Sequence, residues 1–305
     1  MTRYPLALLP TPLTPAERLS ELVGVPVLVK RDDLTGFGAS GNKARALEYL
    51  LGAALADGCD VLVTGGSASS NFCPAAALAA RRAELGCELV VSGTQESANV
   101  ELARRAGATL HPLGDGARDR VDEAVRSLAA SLAAAGRRPY PMPRGGSTAT
   151  GALGFAAAAG ELAAQADPGW VVIPVGSGGS CAGLLAGPGS WRVLGVSVSR
   201  EVPEISGIVH RLARACAALL GRPAPDPERL ELVDGRGPGF GIPGPADLAA
   251  AAVALESEGL LLDHTYTAKA LAVLLARRLD GPVVFWHTGG LVTAITEYGR
   301  RHVTA

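Results

Sequence analysis

The stretch Gly36–Leu50 reads GFGASGNKARALEYL: small residues and a lone Phe37 hand over to Asn42, Lys43 and a helical pattern. A lysine amine fixed at a helix start, beside backbone loosened by glycine, becomes a nucleophile or base once desolvation favours its neutral form. In isolation such a lysine is more often a solvated surface cation. A second stretch, VGSGGSCAGL at 175–184, leaves an apolar run, turns through Gly176, Ser177, Gly178, Gly179 and Ser180, and enters another helical pattern. Converging backbone N–H groups and a helix N-terminus suit a phosphate there. The phosphate is not a dinucleotide's. G-x-G-x-x-G requires glycine at 181, where Cys181 stands, and no acidic residue closes the next apolar run. A P-loop is excluded too, since no G-K-[ST] follows. A monophosphate cup together with a lysine points to pyridoxal phosphate, held covalently by the amine and anchored by its phosphate. A third stretch, SSNF at 69–72, places Ser70 and Asn71 at a helix start that also suits a carboxylate; alone, both read as caps.

These residues lie after apolar runs, which is where open α/β sheets bind ligands. Runs such as DVLVTGG, CELVVSG, ATLHPLG, YPMPRGG, WVVIPVGSGG, WRVLGVSVS and PVVFWHTGG show little alternation, and helical patterns follow most of them. That predicts parallel strands buried on both faces, hence a doubly wound α/β fold. The apolar content suits two sheets better than one, and the alanine enrichment reads as compositional. Prolines and glycines at 221–245 mark a long irregular connection. With 48% hydrophobic and 19% charged residues the 305-residue chain is an ordinary soluble globule. A net charge of −1 gives no electrostatic case for nucleic acid or an anionic membrane, and no apolar run is long enough to span one. Cys59, Cys73, Cys87, Cys181 and Cys216 are too scattered for a zinc site or a disulfide scaffold, so no metal and a cytoplasmic setting are expected.

With these motifs in place, the chain resembles the fold type II pyridoxal-phosphate enzymes, within them the D-cysteine desulfhydrase and 1-aminocyclopropane-1-carboxylate deaminase family. The likeness runs in order through PTPL at 10–13, VLVKRDDLTGFGASGNKARALEYL, VTGGSASSNF, RGGSTATGALGF, VGSGGSCAGL, GRGPGFGIP, EGLLLDHTYTAKAL and WHTGG. It implies two α/β lobes like those of the tryptophan synthase β chain, with the cofactor between them. The expected small lobe is 48–145, and the large lobe is 1–47 with 146–305. By the same resemblance Lys43 is the covalent lysine, Ser70 holds the substrate carboxylate or assists proton transfer, and Asn71 bonds the ring hydroxyl. Tyr266 stands near the leaving group, and Thr288 or Thr267 faces the pyridine nitrogen. The deaminase branch has glutamate where Thr267 stands, which leans toward β-elimination from a small amino acid, giving a 2-oxo acid and ammonia. A homodimer is implied as well.

Three positions depart from the family. Phe72 replaces a histidine or glutamine, Phe240 replaces a tyrosine, and Ala46 replaces a phosphate-binding lysine. Loss of pocket hydrogen-bond donors predicts altered substrate preference. The rival readings are a biosynthetic enzyme of the same fold performing β-replacement, a non-catalytic pyridoxal-phosphate binder, and a nucleotide-dependent oxidoreductase. Ser70 and Tyr266 disfavour the second, and Cys181 disfavours the third. Of the histidines, His111, His210 and His302 read as structural, while His264 and His287 flank the site.

Overall fold

The structure is a computed structural model and describes residues 2–93, 96–114 and 118–300. The chain opens with β1 (Leu13–Pro15), α1 (Glu17–Val23), β2 (Val27–Arg31) and α2 (Lys43–Ala56). It continues through β3 (Val61–Ser67), α3 (Phe72–Arg82), β4 (Gly86–Ser92), α4 (Ala98–Arg105), β5 (Thr109–Gly114), α5 (Val121–Ala134) and β6 (Pro139–Pro141). Then come α6 (Ala149–Gln165), β7 (Trp170–Val175), α7 (Gly179–Ala186), β8 (Arg192–Ser197), α8 (Val202–Leu219) and β9 (Leu230–Asp234). The last elements are α9 (Pro245–Glu258), α10 (Thr267–Leu275), β10 (Val283–His287) and α11 (Leu291–Arg300).

Two sheets form, as the apolar content predicts. One has six strands in the order β1-β2-β10-β7-β8-β9, and the other has four in the order β5-β4-β3-β6. Every pairing is parallel except β1 with β2. The strands β7 and β10 are buried along their whole length, which is why their sequences show no alternation.

Two expectations are corrected. The connection at 221–245 is not wholly irregular: Leu230–Asp234 form β9, which pairs with β8 at the sheet edge. Its residues are only half-buried, so a short edge strand hides among turn signals. Of the run YPMPRGG only Tyr140 and Pro141 lie in a strand, β6, and Arg144–Gly146 form a single 3₁₀ turn with Gly145 at φ 71°. The helix that follows the run ATLHPLG is α5, Val121–Ala134; residues 115–117 and His302 lie outside the described residues.

The alanine and glycine enrichment is positional as well as compositional. A Cβ at Gly154 on α6 would lie 2.2 Å from the carbonyl oxygen of Arg45 on α2. One at Gly183 on α7 would lie 2.2 Å from the Ala152 carbonyl. Helices α2, α6 and α7 thus approach backbone to backbone, which only small residues permit. The close contact at Arg45 fixes the first turn of α2, where Lys43 stands.

Candidate active site

The carboxyl ends of seven strands, β2, β3, β6, β7, β8, β9 and β10, converge on one cavity between the two sheets. Its empty space is about 1150 Å³, part of it open to solvent. Lys43, Ser70, Asn71, Phe72, Gly176–Ser180, Phe240, Tyr266 and Thr288 all line it, and so does Ala46. The loop after β7 supplies the glycine turn, the loop after β3 supplies Ser70 and Asn71, and the loop after β10 supplies Thr288. The loop after β9 brings Phe240, and the loop after β2 leads to Lys43.

Three hydrogen bonds hold the turn before Lys43. The backbone N–H of Asn42 donates to the Thr288 carbonyl at 2.9 Å, and its side-chain Nδ2 donates to Ser180 Oγ at 3.1 Å. Thr35 Oγ1 donates to the Gly41 carbonyl at 3.0 Å. Gly41 has φ 55°, and a Cβ there would lie 2.4 Å from the Thr288 carbonyl oxygen, so this turn needs glycine. Asn42 therefore joins the lysine turn to the glycine cup and to the β10 loop. Nothing in the sequence beyond its place before Lys43 marks Asn42; its burial and its partners emerge only in the fold.

Burial lowers the Lys43 amine from its ordinary value to about 8, against the pull of the Asp263 and Asp32 carboxylates. The Nζ atom lies 6.0 Å from the centroid of the Tyr266 ring. The sign of the shift sets a test. Only the neutral amine attacks an aldehyde, so capture of pyridoxal phosphate by the empty protein is expected to accelerate through pH 8 and level off above it. Below pH 8 the rate should fall about tenfold per unit, following the neutral fraction. Stopped-flow absorbance reads this directly, and a rate that still climbs about tenfold per unit above pH 9 counts against the lowered value.

The glycine turn opens α7, with Gly178 at its N-cap in the left-handed region, φ 93°. A Cβ on Gly178 would face Val209, Ile208 and Ile205 of α8, so this glycine serves the turn and the helix packing. Gly179 is the tight one toward the site: its Cβ would lie 2.8 Å from Ser147 Oγ. That hydroxyl donates to Ser177 Oγ at 2.6 Å and accepts from the Gly179 N–H at 3.3 Å. Arg200 Nη1 donates to the Gly176 carbonyl at 3.0 Å, placing a guanidinium beside the cup. Arg144 also borders the cavity and is held by Asp122, its Nε donating to Oδ2 at 3.0 Å.

Tyr266 stands just before α10 and closes another wall, packing against Gly176 and meeting the Phe240 ring edge-on at 5.9 Å. Its position is set by Asp263, which accepts from the N–H groups of Thr265, Tyr266 and Thr267 and from Thr267 Oγ1 at 2.8 Å. Burial pushes Asp263 above the ordinary carboxylate range, and those donors oppose the shift. Thr267 is fully buried with its hydroxyl committed to Asp263, so of the two threonines Thr288 is the one on the cavity. Asp263 itself lines the cavity and was missed in the sequence, because nothing in DHTYT separates a capping aspartate from a site residue. Phe72 is 1% exposed and its ring packs with Leu50 against Gly146, so it borders the cavity chiefly from within the four-stranded layer's core. His264 and His287 are buried behind the site and do not line it.

Pyridoxal phosphate fits this donor set. A partly desolvated amine and a glycine-walled cup at a helix start share one cavity, and added Cβ atoms at Gly145, Gly179 or Gly290 would crowd its walls. Fold and cavity together define a pyridoxal-phosphate enzyme of the two-sheet α/β class. Residues 5–289 match the family described as pyridoxal-phosphate dependent enzyme, and the chain belongs to that family. It is 36% identical to the D-cysteine desulfhydrases of Salmonella newport (strain SL254) and Salmonella enteritidis PT4 (strain P125109), over 95% of each chain. The solved structure of an ACC deaminase homologue superposes with a TM-score of 0.93 at 32% identity, covering 100% of this chain and 96% of that one. Maize serine racemase shares the fold alone, with a TM-score of 0.70 at 16% identity over 96% of this chain and 92% of its own. Among the described residues no helix is long and apolar enough to cross a membrane.

Proposed function

We propose that the chain is a pyridoxal-phosphate dependent lyase that acts on a small amino acid by α-proton abstraction and β-elimination. The products are a 2-oxo acid, ammonia and the leaving group, as in a D-cysteine desulfhydrase. The observation that carries this is the meeting of the Lys43 amine, the Gly176–Ser180 cup, Ser70, Asn71 and Tyr266 around one cavity. Pyridoxal phosphate bound there supplies the electron sink for charge left at Cα. Lys43 would hold it and receive the α-proton at Nζ, a role that the lowered pKa supports. Ser70, at the N-terminal end of α3, would orient the substrate carboxylate, and Asn71 would donate to the ring oxygen. Thr288 would face the pyridine nitrogen as a neutral partner. The lobes divide at about 48 and 145, and a cytoplasmic homodimer completes the proposal.

The test is direct. Purified protein should turn yellow with pyridoxal phosphate, borohydride should fix the label to the peptide containing SGNKAR, and D-cysteine should yield pyruvate and sulfide. Protein that takes up no cofactor would sink the proposal.

Phe240 is the site for tuning preference. It is half-buried and touches Tyr266, whereas Phe72 belongs to the core. Phe240→Tyr is therefore expected to raise kcat/KM on D-cysteine about tenfold, the scale of one hydrogen bond worth ~1.5 kcal/mol. Phe72→His should instead lower the unfolding midpoint, because it buries an imidazole. An unchanged or lower kcat/KM in Phe240→Tyr would remove Phe240 from the specificity argument.

A further inference from the structure

Asn71 makes its hydrogen bonds through one end only. Its Oδ1 accepts from Asn99 Nδ2 at 3.2 Å and from Thr293 Oγ1 at 3.2 Å, and Nδ2 has no partner among the described residues. Oxygen and nitrogen of an amide exchange places by a simple flip, so the geometry alone leaves two ways to arrange donors and acceptors. A backbone group removes the choice. Asn99 Nδ2 also donates to the Ser69 carbonyl at 3.1 Å, and a carbonyl can only accept. Were Asn99 flipped, its Oδ1 would oppose that carbonyl, acceptor against acceptor. With Asn99 fixed, its Nδ2 faces the Asn71 side chain, which must present oxygen. Asn71 therefore turns its N–H₂ group to the cavity.

Asn99 pays for this arrangement: its own Oδ1 is buried without a hydrogen-bond partner among the described residues. A buried side chain, 5% exposed, that leaves one acceptor unsatisfied is held where it is by the bonds of its other end. Thr293 Oγ1 lies 3.5 Å from Asn99 Nδ2, so that hydroxyl accepts from Asn99 and donates to Asn71. The relay joins both layers, since Asn99 lies on α4 beside the four-stranded sheet and Thr293 lies on α11, which follows β10 of the six-stranded sheet.

We propose that Asn99 is a positioning residue: anchored on the Ser69 carbonyl and seconded by Thr293, it forces Asn71 to offer the cavity a donor and so to select an anionic oxygen on the bound cofactor ring. This rests on the function proposed above. Asn99→Asp is the sharpest test. Its carboxylate has no proton to give Asn71 Oδ1, so Asn71 flips, donates to the carboxylate and turns its oxygen to the cavity. Cofactor affinity, measured by titrating the visible absorbance, should fall about tenfold. At one fixed pH the balance of visible bands should move about tenfold toward the form with a protonated ring oxygen, equivalent to one pKa unit. Thr293→Val, which leaves the Ser69 anchor intact, should shift both readouts the same way by about threefold and keeps the test alive should Asn99→Asp fold poorly. A purely structural role for Asn99 would lower the unfolding midpoint and leave the band balance where it was, and that result overturns the inference. Wild-type protein that takes up no cofactor overturns the proposed function as well; wild-type uptake with both variants unchanged in bands and affinity overturns the relay alone.

Discussion

Lys43→Ala should lower turnover at least ~10⁴-fold while leaving the fold intact. On the proposed function, two roles would leave with one amine: covalent anchorage and the base for the α-proton. General base catalysis alone contributes about 10²–10⁴-fold. Residues that act as a unit do not add, so restoring free cofactor at high concentration should recover little. Stability should move in the opposite direction. A lysine whose pKa falls from 10.5 to about 8 on folding carries a penalty that is full below pH 8 and gone above 10.5. The alanine variant should therefore be the more stable protein at pH 7, with the difference closing as pH climbs from 8 to 10.5. Urea denaturation at pH 7 and pH 10 measures this. A variant less stable at pH 7, or one retaining a tenth of wild-type turnover, would remove Lys43 from the centre of the site.

The sequence shows most plainly what is local and covalent in its consequences. The glycine turn before α7 and the lysine after GFGASGN are legible because backbone freedom and a helix start need particular residues at consecutive positions. Buried parallel strands such as β7 and β10 are legible because burial on both faces erases alternation. The strand β9 is not, because a half-buried edge of five residues makes the same pattern as a loop. Partners far apart in the chain leave no local signal at all. Asn99 sits in an unremarkable amphipathic helix, and only the folded chain brings it to Asn71, 28 positions away, and to Thr293, 194 away. Phe72 carries two roles that the sequence cannot separate: it lines the cavity beside Ser70 and Asn71, while the first turn of α3 also packs its ring into the core.

The least legible feature is the ion cluster beneath Lys43, and breaking it should have the largest effect on stability. Asp32, Arg45 and Lys30 are fully buried. Asp32 accepts from Arg45 Nε at 2.9 Å and Nη2 at 2.8 Å, from Thr11 Oγ1 at 2.9 Å and from Trp286 Nε1 at 2.8 Å. Arg45 also bonds both carboxylate oxygens of Glu161 at 2.9 Å, and Lys30 Nζ lies 3.4 Å from Glu161 Oε2. The cluster ties the end of β2, the first turn of α2, α6 and β10 into one unit, two residues beyond the Lys43 amine. Asp32→Ala leaves two buried cations sharing one partly exposed carboxylate and strands the Trp286 N–H. The expected loss is ~3–5 kcal/mol by urea denaturation, the range for breaking one side of a buried pair. Asp32→Leu combined with Arg45→Met should recover much of that, since exchanging a buried pair for apolar groups is often neutral. The recovered protein separates stability from positioning. With the first turn of α2 no longer clamped by charge, its capture of pyridoxal phosphate should be about tenfold slower than wild type at equal stability, because misplacing a reacting group by a fraction of an ångström is enough. Wild-type capture in the stable double variant would mean that the Gly154 contact and the Asn42 hydrogen bonds suffice to fix the turn, and that the buried charges serve the fold and not Lys43.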